Sequence, residues 1–185
     1  MRIIGGTHRG TVLANVGKGD AGAHLRPTTD RVRENLFNVL QGGRFGDPIS
    51  GAKVLDLFAG TGALGLEALS RGASHVTFVD NGHVAKRLIR ENTAKLRRQS
   101  DTTQLTVDAK MLPPGKPCSL IFLDPPYGQD LGLQALMVAL SKGWLAPGAL
   151  IVWEESAAQI APAGFNLLDQ RRYGDTWVSF MRHDA

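Results

Sequence analysis

The sequence predicts a doubly wound α/β fold, a mostly parallel sheet covered by helices on both faces, and three observations carry that prediction. From residue 53 onward, short apolar runs rich in β-branched and aromatic residues alternate with segments of helical periodicity, the pattern of parallel strands joined by helical crossovers. The first run leads into the glycine-rich turn Gly60-Thr61-Gly62-Ala63-Leu64-Gly65, placed where such sheets bind ligands. The last two runs are separated only by Tyr173-Gly174-Asp175, too short for a crossover, which predicts an antiparallel hairpin.

Taken from the N-terminus, Ile3-Ile4 and Thr11-Val12-Leu13 flank Gly5-Gly6 and Arg9-Gly10, which predicts a short hairpin or two strands. Residues 15–24 are glycine-rich and are expected to form a mobile loop. Pro27-Thr28-Thr29-Asp30 then opens a helix in which Val32, Leu36, Val39 and Leu40 recur at i, i+4, i+7 and i+8, and Gly42-Gly43 ends it. Five strands follow, over 54–58, 76–80, 105–107, 120–124 and 149–153, with helices near 62–71, 82–98 and 130–142 between them. Trp144-Leu145-Ala146-Pro147-Gly148 is expected to be a turn into the fifth strand, and 165–172 with 176–182 to form the closing hairpin. Residues 1–46 are expected to be an extension packed on the core of one domain over 47–185.

A chain of 185 residues is long enough to bury roughly 70% of its unfolded surface in a single core. The composition is globular, with 43% apolar and 21% charged residues, and no run approaches the ~18 apolar positions of a membrane helix. The opening residues lack the apolar segment of a secretory signal. Cys118 is the single cysteine, which excludes an internal disulfide and a cysteine metal cluster, and a cytoplasmic location is expected. The net charge of +4 is unevenly placed: residues 1–46 hold seven Lys and Arg against three acids, whereas the other 139 residues carry 14 of each sign. A basic N-terminal quarter suits contact with a phosphate backbone, although a modest excess also serves solubility.

The candidate ligand site lies beyond the carboxyl ends of the strands. The first strand runs into Asp56-Leu57-Phe58-Ala59-Gly60-Thr61-Gly62, whose glycines permit a tight turn and close backbone approach. The second ends in Asp80-Asn81, with the Asp80 carboxylate placed to accept from both hydroxyls of a ribose. Asp108-Ala109, after the third, is expected to meet an adenine amino group. Gly60-x-Gly62-x-x-Gly65 with an acid 20 residues beyond Gly60 also fits a dinucleotide fingerprint, so the turn alone leaves a nicotinamide oxidoreductase open. Asp56 weighs against that, because a carboxylate there repels a pyrophosphate and attracts the ammonium of S-adenosylmethionine. A plain turn cap is the alternative role for Asp56.

The fourth strand ends in the more specific signal, Asp124-Pro125-Pro126-Tyr127. Two prolines remove two backbone donors and fix φ, leaving carbonyls and a carboxylate as an acceptor-only surface. An exocyclic amino group on a nucleobase offers two N–H donors to Asp124 and the Pro125 carbonyl. Tyr127 supplies a ring for stacking, worth roughly 1–3 kcal/mol per base. Orientation and proximity would supply most of the catalysis.

Asp56 to Gly62 followed by Asp124 to Tyr127 resembles the class I amino-methyltransferase pattern of enzymes acting on DNA, RNA and a few proteins. The resemblance implies a Rossmann-like fold, S-adenosylmethionine as cofactor, S-adenosylhomocysteine as product, and no metal. The 61 residues between Gly62 and Asp124 leave no room for an inserted target-recognition domain. Asp124 stands where protein glutamine methyltransferases usually have Asn, which argues against a glutamine substrate.

Met1-Arg2-Ile3-Ile4-Gly5-Gly6 with Arg9-Gly10, then Arg26-Pro27-Thr28-x-Asp30-Arg31-Val32-Arg33-Glu34-x-Leu36-Phe37-Asn38, resembles the RsmD family of bacterial 16S ribosomal RNA guanine-N2 methyltransferases, and Tyr173-Gly174-Asp175-Thr176 extends the likeness. The family implies a guanine of 16S ribosomal RNA as substrate, presented on 30S particles or assembly intermediates, a monomeric enzyme, and RNA contacts through Arg2, Arg9, Arg26, Arg31 and Arg33. Thr11 and Val12 depart from the Arg or Lys that the family often carries there. Another amino target, such as DNA adenine, and a noncatalytic nucleic-acid-binding domain remain as alternatives. Arg31 and Glu34 also fit a surface ion pair. His8 and His24 lack metal-ligand spacing. Lys95, Arg97 and Arg98 read as a solvated helix end, and Glu154-Glu155 lies near the cleft with no role that the sequence assigns.

Overall fold

The computed structural model describes residues 1–16 and 28–184; most of the glycine-rich stretch, Arg26 and His24 lie outside them. Among the described residues four α-helices, α1 (Asp30–Gln41), α2 (Ala63–Ser70), α3 (His83–Lys95) and α4 (Leu131–Ser141), accompany seven strands. The strands are β1 (Lys53–Leu57), β2 (His75–Val79), β3 (Thr102–Leu105), β4 (Cys118–Leu123), β5 (Leu145–Glu155), β6 (Phe165–Tyr173) and β7 (Thr176–His183). They form one sheet of order β3-β2-β1-β4-β5-β7-β6. β1 to β5 are parallel, and β7 enters antiparallel between β5 and β6. The strand order reverses between β1 and β4, which opens a crevice at their carboxyl ends.

Alternation along the strands sorts the core into two layers, because successive side chains point to opposite faces. Val54, Leu120, Phe122, Leu150 and Val152 join residues of α1, α2 and α3 on one face. Leu55, Leu57, Ile121, Leu123, Ile151 and Trp153 meet Ala135, Leu136 and Ala139 of α4 on the other. Ile3, Leu13, Leu36, Phe37 and Leu40 from the first 46 residues sit in the first of these layers.

Several elements differ from expectation. β3 begins and ends earlier than the run 105–107. Leu145 to Gly148 is already part of β5: Leu145 pairs with Cys118 and Leu150 with Leu120, so a bulge accommodates Pro147 and Gly148 where a turn was expected. Trp144 ties this entry down by donating Nε1–H to the Pro113 carbonyl at 2.8 Å. On α1 the buried face is Arg33, Leu36, Phe37 and Leu40, with Val32 and Val39 only half-buried. The apolar pattern places that face one residue away because it treats Arg33 as solvent-facing.

The N-terminal residues do form a hairpin, in which Arg2 bridges Val12 and Ile3 exchanges hydrogen bonds with Thr11 and Gly10. Its loop lies against α2. Glu67 is fully buried and accepts from the backbone N–H groups of Ile4 (2.9 Å) and Gly5 (2.8 Å), while Ser70 Oγ donates to the Gly5 carbonyl at 2.6 Å. Gly6 is required at this contact: its φ is +76°, and a Cβ would lie 1.8 Å from the Ser70 carbonyl oxygen.

Candidate active site

Strand register assembles the site. Leu57 is opposite both Val79 and Leu123, so the following residues, Phe58, Asp80 and Asp124, leave the sheet at one level. Trp153 is opposite Leu123, which puts Glu154 beside Asp124. A cavity of about 810 Å³ opens there. Asp56, Phe58, Ala59, Gly60, Thr61, Asp80 and Asn81 line it together with Asp124, Pro125, Pro126 and Tyr127. The glycine turn and the Asp-Pro-Pro-Tyr segment, far apart in sequence, thus face one space.

The glycine turn is held by carboxylates. Asp80 accepts from Gly60 N–H at 2.9 Å through one oxygen and from Gly82 N–H at 2.8 Å through the other. Each oxygen retains a lone pair for a further donor. Asp56 accepts from Gly65 N–H at 3.0 Å, and a Cβ on Gly65 would come within 2.5 Å of the Phe78 ring, so the third glycine serves close helix–strand packing. Gly62 caps α2 with φ 78° against Phe78 and does not line the cavity. Phe58 also adopts a positive φ, 61°, a conformation that costs a non-glycine residue roughly 1–2 kcal/mol and here turns the chain out of β1 into the cavity wall.

Burial pushes the Asp56 carboxyl well above the ordinary carboxylate range; the Gly65 hydrogen bond opposes this, and nearby Asp124 and Asp80 add to it. Three carboxylates face the cavity, and among the described residues no Lys or Arg lines it. Such a wall fits a cationic sulfonium and ammonium and disfavours a pyrophosphate. Asp56 thus makes a hydrogen bond of the capping kind, to Gly65 N–H, and also lines the cavity.

The Asp124-Pro125-Pro126-Tyr127 segment is fixed at its end. Tyr127 Oη is 3.2 Å from Thr176 Oγ1 at the start of β7. Glu155 Oε1 accepts from Gly128 N–H at 3.2 Å and from Ser156 N–H at 2.8 Å, which gives this carboxylate the positioning role that sequence reasoning could not assign. Asn92, buried on α3, was also missed: its amide donates to the carbonyls of Thr61 (2.9 Å) and Ala14 (3.1 Å), joining the glycine turn to the N-terminal segment. A lone Asn in a polar helix pattern carries no signal for this.

Other expected residues fall elsewhere. Asp108 and Ala109 do not line the cavity; Asp108 caps a short turn by accepting from Lys110 N–H at 2.8 Å, and Ala109 is buried. Arg33 does not face a nucleic acid, because it is 0% exposed, pairs with Asp30 at 2.9 Å and Glu67 at 3.6 Å, and donates to the Arg2 carbonyl. Arg2, Arg9 and Arg31 are exposed, and Arg26 lies outside the described residues. No ion pair joins Arg31 and Glu34 among the described residues. Lys95 pairs with Glu91 and Arg98 with Asp101.

A sheet of this order, with a glycine turn after β1 and Asp-Pro-Pro-Tyr after β4 around a cavity lined by acids, is the arrangement of the class I methyltransferases. The family described as conserved hypothetical protein 95 matches residues 1–182. Ribosomal RNA small subunit methyltransferase D of Escherichia coli (strain K12) is 34% identical over 189 residues, covering 100% of this chain and 91% of its own length. The Haemophilus influenzae protein of the same name is 35% identical, covering 94% and 89%. Among solved structures, "Putative methyltransferase yhhF from Escherichia coli" superposes with a TM-score of 0.84 at 35% identity, covering 100% of this chain and 98% of that one. The chain belongs to this family, that of ribosomal RNA small subunit methyltransferase D.

Proposed function

We propose that this chain transfers a methyl group from S-adenosylmethionine to the exocyclic N2 of a guanine in 16S ribosomal RNA. The observation that carries the reading is the acceptor-only Asp124-Pro125-Pro126-Tyr127 segment facing the glycine turn across one acid-lined cavity. Asp56, Phe58, Ala59, Gly60, Thr61, Asp80 and Asn81 are the residues suited to hold the cofactor, which supplies an electrophilic methyl and leaves as S-adenosylhomocysteine. Asp124 and the Pro125 carbonyl receive the two amino N–H groups and so orient the nitrogen. Tyr127, anchored through Thr176, offers its ring to the base plane.

The RNA substrate is supported by the names of the relatives and by exposed Arg2, Arg9 and Arg31 on the basic extension. The test is to incubate the protein with methyl-labelled S-adenosylmethionine and, separately, 30S particles, naked 16S RNA and duplex DNA. Label in 16S RNA, recovered as N2-methylguanosine and strongest from the particle, is expected. Label confined to DNA, or to another base of the RNA, would refute the assignment.

A further inference from the structure

The segment leading into α1 reaches the reacting end of the cavity at Thr28. Its Oγ1 is 3.4 Å from Asp124 Oδ2 and 3.3 Å from Glu154 Oε2. Glu154 is 2% exposed and stands next to Asp124 because β4 and β5 are in register at Leu123 and Trp153. Thr28 is itself held by the helix start, since Thr29 caps α1 by accepting from Val32 N–H at 3.3 Å.

A hydroxyl has one hydrogen and two acceptor lone pairs. In both contacts the hydroxyl is the donor and a carboxylate oxygen the acceptor, so the one Thr28 hydrogen is committed to these carboxylates. The oxygen is then left with lone pairs, so Thr28 extends the acceptor surface of Asp124 and Pro125 by a third point. A guanine edge presents a matching third donor: N1–H lies directly beside the two amino N–H groups. A purine that keeps the 2-amino group but has an unprotonated N1 would instead set lone pair against lone pair. We infer that Thr28 Oγ1, locked as an acceptor by Asp124 and Glu154, receives the N1–H of the target base and selects a guanine edge over other aminopurines.

This specificity role rests on the guanine-N2 reading, and the experiment separates the two. The substrate is a reconstituted 30S particle carrying either guanine or 2-aminopurine at the modified position. The wild-type protein is expected to methylate guanine at least about tenfold more efficiently in kcat/KM, as a site built for a hydrogen bond rejects an analogue lacking it. In Thr28→Val and Thr28→Ala the guanine rate falls and the guanine-to-2-aminopurine ratio collapses toward one, whereas Thr28→Ser retains the ratio. The missing O6 of 2-aminopurine is common to every variant and cancels in that comparison. S-Adenosylhomocysteine affinity, which reports a folded cofactor site, is expected to stay unchanged throughout. An undiminished ratio in both Val and Ala variants, or no discrimination by the wild type, overturns the role of Thr28. Failure of the wild type to methylate guanine overturns the functional reading itself.

Discussion

Asp56 concentrates the electrostatics of the site in one side chain. It is buried, its carboxyl is held above the usual range chiefly by desolvation, and its ionised form is penalised in the ligand-free fold. A group raised in this way contributes stability that is complete below its unfolded pKa and is lost as pH rises through its folded pKa. Asp56→Asn should therefore raise the neutral-pH Tm by about 2–4 °C per kcal/mol of relieved penalty while weakening S-adenosylhomocysteine binding about 10- to 100-fold, measurable by thermal melts and calorimetry. A cationic ligand favours the ionised form, so binding to the wild type should release a proton and strengthen as pH rises through that titration. Calorimetry in two buffers of different ionisation heat reads the released proton directly. At Asp124, replacement by Asn substitutes a donor for one acceptor. Asp124→Asn should lower kcat/KM on the order of 10- to 100-fold with cofactor affinity retained.

At the scale of elements, the N-terminal hairpin, α1 and α2 share one buried carboxylate. Glu67 takes two hairpin N–H groups, the Arg71 guanidinium at 2.8 Å and Arg33 at 3.6 Å. Arg71 also lies over the Phe37 ring at 5.0 Å. Removing one member of a buried ion network strands its partners, which typically costs about 3–5 kcal/mol. Glu67→Gln should lower the urea midpoint accordingly. Gly6→Ala drives a methyl into the α2 backbone and should either destabilise the protein to a similar degree or release the hairpin, which limited proteolysis at residues 1–14 would report.

For the whole molecule, the division of charge has the clearest consequence. Among the described residues the cavity is lined by acids and by no Lys or Arg, while the exposed arginines Arg2 and Arg9 lie on the hairpin. Cofactor and RNA affinity should therefore respond separately. A double Arg2→Ala, Arg9→Ala variant is expected to reduce the slope of log K for RNA against log salt by about 1.4–1.8, for two lost phosphate contacts, without changing S-adenosylhomocysteine affinity. A fall in cofactor affinity alone would refute the separation.

The strand and helix order, the glycine turn and the Asp-Pro-Pro-Tyr segment were legible because they rest on local rules: period-two and helical patterning, turn chemistry, and the missing donors of proline. Arg33, Glu67, Asn92, Glu155 and Thr28 were not legible, since each acts through partners distant in sequence, 126 residues away for Thr28 and Glu154. Patterning also misplaced Arg33, because a charged side chain is buried only when the fold supplies its partners. By itself the sequence determined the architecture and the kind of surface offered to a base. Only the tertiary structure decided which carboxylates share that surface, because parallel pairing of β1, β2, β4 and β5 sets the level at which Asp80 and Asp124 leave the sheet and puts Glu154, still within β5, beside Asp124.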